Sequence, residues 1–348
     1  MIRPGRGVAP GVVLALAGAG ALSWAPVAVA QSAAAPPRAQ VLIVSGLGGT
    51  PEYSELFREQ AERLIEALRE RLGVSDESIV WLAEDAAISP RASGRATVEA
   101  VEREVLAMAA RAGPADPALI LLLGHGSGRG DDSRFNLPGP DLTAEALSVW
   151  LTAFTTQTVA VVNAASASGG FVPAVAGERR IVVTATRSPR ERERTHFGRF
   201  FIDAFALDEA DIDKDERVSL LEAFHYATGE VRRHYERDDQ MLTEHALLDD
   251  DGDGEGALEP SAEGPDGLVA NRFFLAAAPA AVAQAAADDP EVAALLEEKR
   301  RLEDAIAALR ARRSELGEDE YDDQLEALLL DLARINRALR DPGGAPCG

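Results

Sequence analysis

Ile120-Leu121-Leu122-Leu123-Gly124-His125-Gly126-Ser127-Gly128 is answered by Val159-Ala160-Val161-Val162-Asn163-Ala164-Ala165-Ser166-Ala167-Ser168-Gly169-Gly170. Each stretch is an apolar run of strand length that stops in small residues, the first delivering a histidine and the second a pair of serines. With the helix-like segment Leu142 to Phe154 between them, the βαβ rule makes the two strands parallel. Both groups then emerge on the carboxyl edge of the sheet, where open α/β folds place their sites. A base and a hydroxyl face one crevice.

The same pattern continues on either side. Val41-Leu42-Ile43-Val44, Ser78-Ile79-Val80-Trp81-Leu82 and Arg180-Ile181-Val182-Val183-Thr184-Ala185 read as further buried strands. Helical spacing follows through Leu56, Ala61, Leu64, Ile65 and Leu68, over Ala96 to Ala112, and over Phe197 to Phe205. Alternating strands and helices predict an α/β fold with a mostly parallel sheet covered on both faces. The turn Ser45-Gly46-Leu47-Gly48-Gly49-Thr50 lacks a Gly-Lys-Ser/Thr ending and a full G-x-G-x-x-G, so it reads as a tight strand-to-helix turn, not a phosphate cradle. Gly126 to Asp141 reads as a polar loop that shapes a cleft.

Residues 1–30 carry Arg3 and Arg6, an apolar stretch from Val8 to Trp24 and a small-residue end at Ala28-Val29-Ala30, the pattern of a signal peptide. The expectation is an exported protein, periplasmic or secreted, with a short linker over 31–38. No other apolar run approaches the roughly 20 residues of a spanning helix, so no membrane span is expected after signal removal. The single cysteine, Cys347, has no intramolecular partner. A formal net charge of -23 argues against nucleic acid or an anionic membrane surface.

Part of that charge is clustered. Asp211, Asp213, Asp215, the Arg217 carbonyl, Ser219 and Glu222 fall at the ligand positions of an EF-hand-type loop over 211–222. Glu216 stands where such loops turn on a glycine. A second acidic loop, 249–256, offers Asp249, Asp251 and Asp253 and has its glycine, but Pro260 occupies the terminal ligand position and Glu259 comes one residue early. Calcium is the cofactor these loops imply. Beyond an Ala-rich linker over 276–290, residues 291–348 hold two amphipathic stretches, Val292 to Arg312 and Tyr321 to Leu339, that read as a helical hairpin. Its apolar seam buries against itself, the main domain or a second copy, which makes a homo-oligomer one expected outcome.

The paired motifs resemble the caspase and legumain clan of cysteine peptidases, in which one strand ends in His-Gly and the next in Ala-Cys-x-Ser-Gly. The likeness covers Val41 to Phe205 and implies a caspase-like α/β sandwich within residues 39–275. It also implies that His125 and Gly126 keep the clan's roles. Ser168 and Gly169 match as turn residues, and Ser166 matches only by position, because the clan has cysteine there.

That exchange matters chemically. A normal cysteine is a few per cent thiolate near neutrality, whereas a serine hydroxyl needs a close base that is itself oriented by a third group. Three readings follow. The chain is a non-catalytic peptidase homologue that binds calcium and a protein or peptide. Alternatively it is a serine-type peptidase or esterase using Ser166 and His125, with amides near Gly126 as oxyanion donors. The third is an unrelated α/β calcium-binding structural protein. His196, His225, His234 and His245 show no zinc-site spacing. The mixed-charge run Arg187 to Arg194 follows a strand and reads either as a solvated loop or as a rim that selects acidic groups.

Overall fold

Each apolar run becomes a strand in the computed structural model, which describes residues 38–129, 132–212, 214–276, 289–311 and 317–340. β1 (Gln40–Ser45), β2 (Ile79–Ala83), β3 (Gly94–Arg95), β4 (Ala118–Leu123), β8 (Val159–Asn163), β9 (Arg180–Thr184) and β10 (Leu247–Asp249) form one sheet. Its order is β10-β9-β8-β4-β1-β2-β3. All neighbours are parallel except β10, which runs antiparallel to β9. The fold class is therefore the expected one: α/β, with a mostly parallel sheet covered by helices.

β1, β4 and β8 are buried along their whole length. Such strands carry no polar alternation because helices cover both faces. Parity divides their side chains between two cores. Ile43, Leu121, Val162 and Val183 pack toward α1 (Pro51–Glu70), α5 (Phe197–Ala206) and α6 (Leu220–Arg237). Val44, Ile120, Val161 and Val182 pack with Val105 and Met108 of α2 (Val98–Arg111), Leu147 of α3 (Ala144–Leu151) and Phe171 of α4 (Phe171–Val175). The register pairs Leu122 with Asn163. His125 and Ser166 each stand three residues beyond that pair, so the topology brings both to one edge.

Local chemistry sets the helix starts. Thr50, Thr97, Thr143 and Ser219 each cap a helix by accepting a backbone N–H through the side chain, and Pro51 occupies the first turn of α1, where its missing N–H has no partner to lose. Two expectations need correction. The segment 126–141 is not a plain loop: β5 (Gly126–Arg129), β6 (Asp132–Phe135) and β7 (Leu142–Thr143) form a separate antiparallel sheet. Burial alternates along β6, with Ser133 and Phe135 inside, which is the period-2 signal the sequence does carry. The helix expected from Leu142 accordingly begins after β7. The acidic stretch at 249 also starts inside an edge strand.

Toward the carboxyl end, α7 (Pro290–Ala311) and α8 (Glu318–Arg340) pack on one another. Leu302, Ile306 and Leu309, at helical spacing, are buried along with Tyr321. Among the described residues no helix is long and apolar enough to cross a membrane. The expectations for the signal peptide over 1–30, the linker 31–37, Asp131, Asp213, most of the linker 276–290 and Cys347 lie outside the described residues.

Candidate functional site

His125 sits in the turn between β4 and β5, and its surroundings are supplied by the first βα unit. Its ring lies edge-on to Tyr53 and Phe57 of α1, at centroid separations of 4.5 and 5.3 Å. The backbone of Gly48, in the turn before α1, comes near enough to the ring to favour its protonated form. Burial pushes the imidazole below its ordinary pKa, the Gly48 backbone opposes that shift, and the nearby charge of Arg194 adds to it. Burial therefore favours the neutral ring, and Tyr53 and Phe57 pack against it. Gly48 is itself fixed by Glu84, whose carboxylate accepts from the Gly48 amide (3.0 Å) and from Ser54 Oγ (2.8 Å). A side chain on Gly48 would overlap Ser54, so glycine is required where the turn passes the helix.

Ser166 sits in the turn after β8. Asn163 Oδ1 holds the start of that turn by accepting from the Ala165 amide (3.1 Å). Ala167 is left-handed, with φ 52°, an unusual state for a residue with a Cβ. Its amide donates to the Glu191 carbonyl at 2.7 Å. Of the two serines, Ser168 is buried and bonded to Thr186. Ser166 is the one that lines the cleft, with its Oγ 3.4 Å from the Gly126 amide and 3.5 Å from the Gly126 carbonyl. A Cβ on Gly126 would overlap the Ser166 carbonyl oxygen, so the two turns meet only because glycine stands there. Neither bond of the Ser166 hydroxyl involves His125.

The cleft holding both residues opens to solvent, and its lining includes Tyr53, Gln60, Arg194 and Thr195 but no carboxylate among the described residues. The Arg187–Arg194 run is not a uniformly solvated loop. Arg187 pairs with Glu191 (3.0 Å), Arg192 donates to the Gly128 carbonyl (2.6 Å), and Arg194 reaches the cleft, its guanidinium carbon 5.7 Å from the Tyr53 ring centroid. Glu191 holds the run in place. Its carboxylate also accepts from the His245 amide (3.2 Å) and faces His245 Nδ1 at 2.7 Å. Gly48, Glu84 and Glu191 carry no motif in the sequence, because their roles arise only when turns from different βα units meet.

The two acidic loops differ in how far they converge. In the first, Asp211 accepts from the Asp215 and Glu216 amides at 3.1 Å each. Glu216 takes the left-handed turn expected of glycine, with φ 68°. Ser219 and Glu222 form a capping box at the start of α6, and Glu222 also accepts from the Ile212 amide at 2.9 Å. The side chain of Arg217 pairs with Asp215 at 2.8 Å and lies over the Phe274 ring. In the second loop, carboxylate oxygens of Asp249, Asp251 and Asp253 lie within 4.8 Å of one another. Gly252 and Gly254 are left-handed there and donate to Asp249. Burial pushes Asp266 up to about 6, and the charges of Asp251, Asp249 and Asp250 add to the shift. Asp266 thus stands near the cluster from sixteen residues beyond Asp250, whose amide it accepts at 3.0 Å. Hard oxygens converging with uncompensated charge suit calcium.

The remaining histidines are not simple surface residues. The His196 and His234 rings are 4.1 Å apart, and burial together with neighbouring His234, Arg194 and Arg199 pushes His196 down to about 4. His225 bonds the Pro260 carbonyl and His245 bonds Glu191.

No protein-family model matches this chain, and no curated protein matches it. Solved structures similar to it include drICE, at 11% identity and a TM-score of 0.40, covering 62% of this chain and 87% of drICE. A Geobacter sulfurreducens protein is similar at 14% identity and a TM-score of 0.41, over 61% of this chain and 93% of its own. The Drosophila initiator caspase Dronc is similar at 10% identity and a TM-score of 0.41, over 62% and 81% respectively.

Proposed function

We propose that this chain is an exported, non-hydrolysing peptidase homologue whose cleft binds a peptide through an acidic side chain and whose acidic loops bind calcium. The observation that carries the reading is the state of Ser166. Among the described residues the Ser166 hydroxyl bonds the Gly126 backbone and not His125, whose ring packs edge-on to Tyr53 and Phe57. Serine has no thiolate-like reserve, so without a proton acceptor in contact it does not attack a carbonyl. Arg194, in a cleft with no carboxylate among its described lining residues, supports an anionic group on the ligand. That preference is notable in a chain of net charge -23, because no general attraction for anions supplies it.

For calcium, Asp249, Asp251 and Asp253 form one candidate set, with Asp266 nearby. Asp211, Asp213, Asp215, the Arg217 carbonyl, Ser219 and Glu222 form the other. A bound ion would supply the counter-charge that Asp249, Asp251 and Asp253 draw from no cationic side chain among the described residues.

A second reading is favoured by a different observation. Burial favours the neutral form of His125, which lines the same cleft as Ser166, as a general base would. A serine-type hydrolase would use it after the Ser166 hydroxyl turns from Gly126 toward the ring, leaving the Gly126 amide free for an oxyanion. The two readings part in one experiment. A fluorophosphonate probe should leave the wild-type protein unlabelled, while Ser166→Cys should react with a thiol-directed probe. Labelling at Ser166 that disappears in His125→Ala would reject the non-hydrolysing reading in favour of the hydrolase.

A further inference from the structure

A second cavity, not used by the proposed function, has a volume of about 220 Å³, larger than the roughly 150 Å³ apolar cavity that suffices to hold benzene. It lies between α6 and the segment that leads into β10, over Phe197 and Ala185. Its walls are mainly apolar: Phe197, Val231, Leu242, Ala246 and Leu258. Leu258 is 48% exposed, an apolar side chain left half in water at the cavity wall. One buried carboxyl, Glu244, also lines it and accepts from the His196 and Phe197 amides at the start of α5 (2.8–3.1 Å).

The charges around this cavity select among ligand classes. Arg232 and Glu259 both line it and are exposed, and neither makes a hydrogen bond or ion pair among the described residues, with each other or with any neighbour. An uncharged apolar ligand would leave both unused. A simple anion would face Glu244 and Glu259 on a chain of net charge -23, and a simple cation would face Arg232. A zwitterion with an apolar body meets all three conditions at once.

We propose that this cavity binds a free α-amino acid with a large apolar side chain. The side chain enters the wall formed by Phe197, Val231, Leu242 and Leu258. The carboxylate faces Arg232 and the ammonium faces Glu259. Burial of the side chain supplies affinity, and the two charges exclude analogues that lack either group.

Calorimetric titration of the mature protein tests this with L-leucine, L-phenylalanine, glycine, L-leucinamide and N-acetyl-L-leucine. Leucine and phenylalanine should bind with Kd on the order of 1 mM or tighter, a weak-ligand affinity of about 4 kcal/mol. Glycine should give no heat. The amide, the acetylated analogue and the Arg232→Gln variant should each weaken binding roughly tenfold, the loss of one charge-assisted bond. Ala246→Trp, which fills the cavity, should abolish binding, and Leu258→Asp carries the same test on a half-exposed residue should the tryptophan variant fail to fold. No heat with leucine or phenylalanine at about ten times that concentration overturns the proposal. So does binding that glycine reproduces, or that survives a folded cavity variant.

Discussion

At Ser166 the difference between oxygen and sulfur decides what the cleft can do. The serine hydroxyl keeps its proton at neutrality and spends its bonding on Gly126, with no hydrogen bond to the imidazole that could relieve it. Ser166→Cys should therefore gain a reactive thiol that wild type lacks, with a rate that falls in the His125→Ala background as alkylation is followed across pH. Glu244 permits a second prediction at this scale. Burial holds its carboxyl up at about 7 against an ordinary value of 4.5. A raised carboxyl pKa means the folded state binds the proton more tightly, so the associated stability is present in acid and is lost as the pH rises through 7. In chelator-containing buffer, denaturant melts at about pH 5 and pH 8 should show wild type losing up to roughly 3 kcal/mol relative to Glu244→Gln. Parallel pH profiles for the two proteins would reject that account. Glu216 gives a third: Glu216→Gly removes the side chain from a left-handed position and should tighten calcium binding, with a gain of about 1 kcal/mol read by calorimetry.

Among the elements, the turns at the carboxyl ends of β4, β8 and β9 form the cleft, and each depends on a contact from another turn. Gly126 admits the Ser166 carbonyl, Ala167 is held by the Glu191 carbonyl, and the Glu191 carboxylate ties the arginine run to His245. Gly126→Ala should destabilise by about 1–3 kcal/mol, because the methyl would overlap backbone instead of a movable side chain. Glu191→Ala should lower the affinity for acidic peptides although Glu191 does not line the cleft, and Glu191→Gln, which keeps an acceptor, should restore most of it. Equal binding by wild type and Glu191→Ala would show that Arg194 needs no such support. Much of this scale was legible beforehand. The positions of His125 and Ser166 at strand ends follow from where the apolar runs stop, whereas the β5–β6–β7 sheet was obscured by the glycines and charges of a short, half-exposed hairpin.

For the whole molecule, the proposed calcium sites would couple stability to the acidic loops. One face of the sheet carries α1, α5 and α6, the other α2, α3 and α4, and the Asp249 cluster begins within the edge strand β10. Calcium bound only by the folded chain should raise the thermal midpoint, by about 2.7 kcal/mol of added stability at a hundredfold excess over its dissociation constant. Chelator should reverse the gain, and replacing Asp249, Asp251 and Asp253 by Asn should remove it. A midpoint indifferent to calcium would discount both loops as ion sites.

The sequence by itself determined β1, β2, β4, β8 and β9, their parallel pairing and the edge on which the histidine and serine emerge, because these depend on apolar runs and on the chirality of βαβ connections. It also determined which residues could ligate calcium in order along a loop. Tertiary structure alone decided the rest. Tyr53 and Phe57 flank His125, Glu84 fixes Gly48, Arg194 is the arginine that enters the cleft, and Asp266 bonds the Asp250 amide beside the acidic cluster. Each of these joins residues from separate turns or elements, and neither periodicity nor spacing along one segment encodes the distance between two segments that meet only after the sheet has formed.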